Sequence, residues 1–163
     1  MVVVDDDDDA DATRAWRAWT HNHVGPEKAL QLLIVLERPK RRAEELTKAE
    51  VKRLTWASIG STKAKSSELL ALVKGIEART LHERIIKVND VPYLTVNVAV
   101  DEYIARSLLT AGQVGKNKGR GLIVRTNATH AVIAAYRSDE DSRPAGLVEQ
   151  FVSDYLGNAL KVS

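Results

Sequence analysis

Gly25-Pro26-Glu27-Lys28-Ala29-Leu30-Gln31-Leu32-Leu33-Ile34-Val35-Leu36 is the stretch on which the fold turns. Proline at a first turn followed by Glu27 reads as a helix start, and the run from Ala29 to Leu36 is apolar apart from Gln31. A helix over this run is apolar on nearly all sides and is therefore expected to be buried on nearly all sides. Arg38-Pro39 ends it, because proline disfavours helical backbone in the residue before it.

Downstream, residues 38 to 65 form a basic segment with Arg38, Lys40, Arg41 and Arg42 at its head. Within it, Thr47 and Glu50 have the spacing of a capping box, which predicts a short helix to about Trp56, broken at Gly60-Ser61-Thr62. Leu69, Leu72, Val73 and Ile76 fall at i, i+3, i+4 and i+7, an amphipathic stripe that predicts a core-facing helix from Ser67 to about Thr80. Residues 84 to 88 and 91 to 96 are β-branched and aromatic runs flanking Asn89-Asp90, which predicts a hairpin whose second strand is an edge or late-starting strand because of Pro92. Asn97 to Thr110 reads as helix, with Val100, Tyr103, Ile104 and Leu108 on one face. Thr126 or Asn127 is placed to cap a further helix carrying Ala128, Ala131, Val132, Ala135 and Tyr136. An acidic loop from Ser138 to Arg143 and a last short helix from Gly146 to Leu156 complete the chain, which has no internal repeat.

The 163 residues, 44% hydrophobic, fit one domain with a core of its own. With no cysteine, the chain has no disulfide, no thiolate metal site and no thiol nucleophile, as suits a reducing compartment. Its N-terminus is acidic where a signal peptide would be basic, and no apolar run approaches a membrane span, so the reading is a soluble intracellular product that binds no membrane.

The net charge of +2 hides a segregation. Residues 1 to 11 hold six Asp and no base, and residues 1 to 15 read as a disordered acidic tail. Residues 12 to 138 hold 22 bases against 11 acids. From Tyr103 to Ser138 there is no acid at all, and Gly112-Gln-Val-Gly115-Lys116-Asn117-Lys118-Gly119-Arg120-Gly121 puts four of the nine glycines among cations. This pattern predicts a polyanion partner held by sequence-tolerant phosphate contacts from Lys116, Lys118, Arg120 and Arg125, with Asn117, Thr126 and Asn127 placed for sugar or base edges.

Enzyme signals are poor. His82-Glu83 lacks the second histidine of a zinc-binding helix, Ile86 standing in its place, and His21-Asn22-His23 has no assigned acidic partner. Lys116 is followed by Asn rather than Ser or Thr, so the glycine-rich loop is not a nucleotide P-loop. The expectation is a protein without catalysis, cofactor or metal. Trp16, Trp19 and Trp56 are candidate core or inter-subunit anchors.

The order of elements, and several segments, resemble the coat proteins of rod-shaped plant RNA viruses, typified by tobacco mosaic virus. The segments are residues 25 to 33, 65 to 73, 86 to 97, Asn97-Val-Ala-Val-Asp101 with Leu108-Leu109, Lys116-Asn117-Lys118, and 125 to 133; the likeness spans about residues 16 to 137. The longer segment 38 to 64, the shorter loop after the third helix and the weak match around Phe151 lean towards a pomovirus within the virgavirus family rather than a tobamovirus. The resemblance implies a mainly α four-helix bundle with a small β-hairpin or sheet at one end, a coat domain over residues 16 to 158 and a short tail over 159 to 163. It implies polymerisation into a helical homopolymer that encapsidates single-stranded viral RNA, in the virion and the host cell cytoplasm. Lys116, Asn117, Lys118, Arg120, Arg125 and Asn127, with Lys63 and Lys65 from the second helix, would then be the RNA contacts. The alternative expectation is a non-polymerising regulatory module that binds RNA or DNA.

Overall fold

The computed structural model describes residues 16–25, 28–60, 64–107, 120–137 and 143–156. Seven strands form one antiparallel sheet: β1 (Leu32–Glu37), β2 (Thr55–Gly60), β3 (Ile85–Val88), β4 (Val91–Val98), β5 (Glu102–Ser107), β6 (Gly121–Thr126) and β7 (His130–Tyr136), in the order β2-β1-β7-β6-β5-β4-β3. Among the described residues, four α-helices flank it: α1 (residues 16–23), α2 (Lys48–Leu54), α3 (Ser66–Ala78) and α4 (Arg143–Phe151), the last continuing as a π-turn over Val152–Leu156.

The sheet overturns the expected four-helix bundle, and the opening stretch shows why. Leu32, Ile34 and Leu36 point into a core shared with α2 and α3, while Leu33 and Val35 point into a second core with Trp19 of α1 and Val148 and Phe151 of α4. A strand buried on both faces has no polar side to alternate with, so its sequence is a continuous apolar run, as in a fully buried helix. The same holds for β7, where all seven residues are buried and where a capped helix was expected. Asn127 does cap, but it caps a turn: its Oδ1 accepts from the backbone N–H groups of Thr129 and His130 and closes the β6–β7 hairpin. Where a helix over 97–110 was expected, residues 97–107 are instead the end of β4, a turn and β5, with Tyr103 and Ala105 facing α3's core, and 108–110 lie outside the described residues.

Other expectations meet their residues. Thr47 Oγ1 accepts from Glu50 N at 3.2 Å and starts α2, which stops at Leu54. The amphipathic stripe of α3 buries Leu72, Val73 and Ile76. Asn89 and Asp90, at φ 52° and 64°, make the tight turn between β3 and β4. Pro92 does not make β4 an edge strand, since β4 lies between β5 and β3; it pairs with Lys87, and pairing of β4 with β5 begins only at Tyr93. The expected acidic tail (1 to 15) and tail 159 to 163 lie outside the described residues. No described helix is long and apolar enough to cross a membrane.

Candidate functional site

All three tryptophans and the one phenylalanine of the chain meet on the α1/α4 side of the sheet. Trp16, Trp19 and His23 stand at i, i+3 and i+7, hence on one face of α1. Phe151 and Tyr155 stand four apart at the end of α4. Trp56 arrives from the sheet edge through a register shift: Val35 pairs with Ala57 and Leu36 with Thr55, leaving Trp56 as an extra residue. Such a bulge re-aims a side chain, and here Trp56 sits against Trp16 and over His130 at the start of β7.

The rings form a continuous shelf. Trp56 stands edge-on to His130 at 4.4 Å and stacks on Trp16 at 5.9 Å with 29° between planes. Trp16 then meets Phe151 at 5.2 Å, and Phe151 meets Trp19 at 4.9 Å and Tyr155 at 5.1 Å; His23 closes on Trp19 at 4.7 Å. Phe151 is fully buried and acts as the floor, whereas Trp56 is 51% exposed and Trp16, Tyr155 and His23 are half-buried. The shelf also carries two buried nitrogens without a hydrogen-bond partner, Trp19 Nε1 and His130 Nε2. Nδ1 of His130 is engaged with Thr129 Oγ1 at 2.7 Å. Burial pushes the His130 ring below its ordinary pKa of 6.5, and Glu37, its neighbour across the ladder, pulls the other way more weakly.

A second surface lies on the outer strands. Ile85, Leu94, Val96, Val98 and Val100 are between 43% and 92% exposed. Ile85, Leu94 and Arg106 are cross-strand neighbours, so they share a face, opposite to the one through which Tyr93 enters the α3 core. Lys87 and Arg106 flank the apolar residues, both exposed and without an ion pair among the described residues.

Of the phosphate ligands read from the sequence, Arg120, Arg125, Asn127 and Lys65 fall among the described residues. Arg120 and Arg125 lie at opposite ends of β6, about 17 Å apart by strand rise. Arg125 is engaged by Glu102 at 3.2 Å and Asp101 at 3.5 Å, and Asn127 is committed to its turn. Lys65 pairs with Asp90 at 2.6 Å beside the β3–β4 turn. Lys63, Lys116, Asn117 and Lys118 lie outside the described residues. The tryptophans were visible in the sequence as anchors, but His23, His130, Phe151 and Tyr155 were not linked to them, since the two helices that carry the shelf come from opposite ends of the chain. Among the described residues, no group of three or more His, Asp or Glu is placed to hold a metal ion.

No protein-family model matches the chain, and no curated protein sequence does. Solved structures do. Profilin II of Acanthamoeba castellanii superposes with a TM-score of 0.54 at 13% identity over 80% of this chain and 88% of that one. Profilin of Schizosaccharomyces pombe gives 0.52 at 13% over 80% and 87%, and rat profilin 2a gives 0.52 at 9% over 83% and 88%. At such identities the likeness is one of fold: this is a profilin-like sheet with helices on both faces. It overturns the coat-protein resemblance and, with it, the capsid, the helical rod and the viral RNA partner. No comparison supports the alternative of an RNA- or DNA-binding module.

Proposed function

We propose that this chain is a non-catalytic binding protein whose aromatic shelf takes a proline-rich segment in the polyproline II conformation. The observation that carries the reading is the unbroken run His130–Trp56–Trp16–Phe151, with a half-exposed indole at its open end. Proline-rich segments dock on aromatic-lined surfaces because their backbone is already ordered and their rings are flat and apolar. The two accessible rings, Trp56 and Trp16, are 5.9 Å apart, about two polyproline II residues at 3.1 Å each, so every second residue of a ligand meets the next ring. A separate observation, the apolar strip Ile85–Leu94–Val96 between Lys87 and Arg106, supports a second contact with a protein partner that is apolar at its centre and acidic at its rim. The protein would then join two partners.

Intrinsic tryptophan emission tests the first contact. Titration with a decaproline peptide should give a saturable change that a Gly-Ser peptide of equal length does not. Trp56→Ala, with an unchanged circular dichroism spectrum, should weaken binding about tenfold or more, the loss expected for an aromatic anchor, about 1.4 kcal/mol. A parent chain that ignores the proline peptide, or a Trp56→Ala chain that binds as well as the parent, overturns the reading.

A further inference from the structure

On the α3 face, opposite to the shelf, the sheet curls until its two ends share a cleft. Gln31, at the entry to β1, and Val88 and Asn89, at the end of β3, belong to strands five spacings apart in the sheet order, about 24 Å if the sheet were flat. Yet they line one cavity, of about 20 Å³ and open to solvent, whose walls Val91, Tyr93 and Ala135 extend. The enclosed space holds a group of about one or two non-hydrogen atoms.

One cation faces this space. Tyr93 is in register with Ser107, whose N–H donates to the Arg120 carbonyl at 2.9 Å and whose Oγ accepts from Arg120 N at 2.8 Å. Arg120 is thereby set in the same row as Tyr93, and strand alternation puts it on the face of Leu122 and Val124, where it lines the cleft. It has no ion pair among the described residues, and the lining includes no acid. Asp90, next to Asn89, is taken by Lys65. Tyr93 is 2% exposed, and its hydroxyl has no hydrogen-bond partner among the described residues. Burial pushes this phenol above its ordinary pKa of 10.0, with the Arg120 charge pulling the other way, so at neutral pH it is a protonated donor.

We propose that the cleft binds the head group of a monocarboxylate, with Arg120 as counter-ion, the Tyr93 hydroxyl as a neutral donor, and Val88 and Val91 against the carbon that bears the carboxylate. A guanidinium matches a carboxylate in shape and charge, and apolar walls strengthen the pairing by keeping water away. A single cation balances a single negative charge, whereas a phosphate dianion would bring a second charge without a partner. A free short-chain acid and a peptide C-terminus both present this head group. The cleft shares no residue with the aromatic shelf, and its occupant is independent of the proline-rich reading.

Titration of the ¹⁵N-labelled full-length protein with sodium propionate, at neutral pH and constant ionic strength, tests the site. The amides of Asn89, Val91, Tyr93 and Gly121 should shift saturably, with the millimolar Kd that suits so small a ligand, and propionamide, which lacks the charge, should leave them in place. With the circular dichroism spectrum unchanged, Arg120→Gln should weaken propionate binding about tenfold or more and Tyr93→Phe about threefold or more. Arg120→Lys, which keeps the charge but not the planar fork, should recover part of the loss. An absence of saturable shifts at these amides, equal shifts with propionamide, or an Arg120→Gln chain that binds as the parent does overturns the site. Inorganic phosphate binding more tightly than propionate overturns the carboxylate assignment. N-acetyl-glycylvaline, with a free C-terminal carboxylate, separates the two sources: binding about threefold or more tighter than propionate makes the ligand a chain terminus, and anything weaker makes it a free acid.

Discussion

Glu68 ties the two halves of the α3-side core together, and its removal should be the most damaging polar substitution in the described chain. The carboxylate is 7% exposed and accepts three backbone N–H groups: Lys65 at 2.7 Å, Asn89 at 2.8 Å and Asp90 at 2.7 Å. The first caps α3; the other two clamp a turn whose residues both have positive φ. Glu68→Ala leaves three backbone donors without their acceptor, at the junction of α3 and the exposed β3–β4 turn. At about 1–3 kcal/mol per orphaned group, part of it recovered by solvent, the expected loss is about 3–5 kcal/mol. For a chain of this size that is a fall of about 10 °C in Tm. The neighbouring Lys65–Asp90 pair adds nothing to the figure, because both side chains are more than half exposed and solvent screens them. Glu68→Gln keeps one acceptor oxygen but turns an amide N–H group towards a backbone donor, so its loss should be about half as large. Urea and thermal unfolding of the two variants beside the parent decide the matter. A Glu68→Ala protein within about 1 kcal/mol of the parent, or Gln as damaging as Ala, refutes the clamp. Proline-peptide affinity should not move in either variant, since the shelf lies on the other face of the sheet.

Three further outcomes follow from the packing. Gly121→Ala places a methyl group inside the ring of buried Tyr136, its cross-strand partner, and should cost about 2–3 kcal/mol in urea unfolding. Phe151→Ala removes the fully buried floor of the shelf and should cost about 3–5 kcal/mol of stability, whereas Trp56→Ala, half exposed, should cost distinctly less while losing more affinity; the two variants separate stability from binding. Because the folded pKa of His130 lies below 6.5, the unfolded chain takes up the proton first: the histidine's contribution is intact above pH 6.5 and is lost as pH falls below it, and a His130→Phe variant should show a flatter decline of stability with acidification.

Short-range chemistry was legible in the sequence and long-range pairing was not. The Thr47 cap, the α3 stripe and the Asn89-Asp90 turn each depend on residues within a few positions of one another, and each is where the residues put it. The strands β1 and β7 depend on neighbours far along the chain: Ile34 pairs with Ile133 and with Ser58. Buried on both faces, they lack the period-2 signature, and their apolar density passed for helix. In β5, Tyr103 and Ile104 share the spacing of a helical stripe, yet the pleat sends them to opposite sides of the sheet. Of the segments that resemble a viral coat, 25 to 33 runs into β1 and 125 to 133 spans the β6–β7 turn, so there the likeness was one of local composition without the shared pairing that makes a fold. The shelf was half visible, as three tryptophans, and its assembly needed the bulge at Trp56, which no local pattern announces.

The two exposed surfaces lie towards opposite edges of one sheet face. Trp56 belongs to β2 and Leu94 to β4, five strand spacings apart, about 24 Å. Between them α4 covers β6 and β7, with Val148 and Phe151 packed into the core beneath. A ligand on the shelf and a protein on the outer strands therefore share no side chain, and at that distance their binding energies should add. Coupling would have to pass through α4, whose last turn holds the Phe151 floor of the shelf. The two-partner reading therefore predicts independence: saturating the shelf with a proline peptide should leave the affinity of the outer strands for their partner unchanged within about twofold.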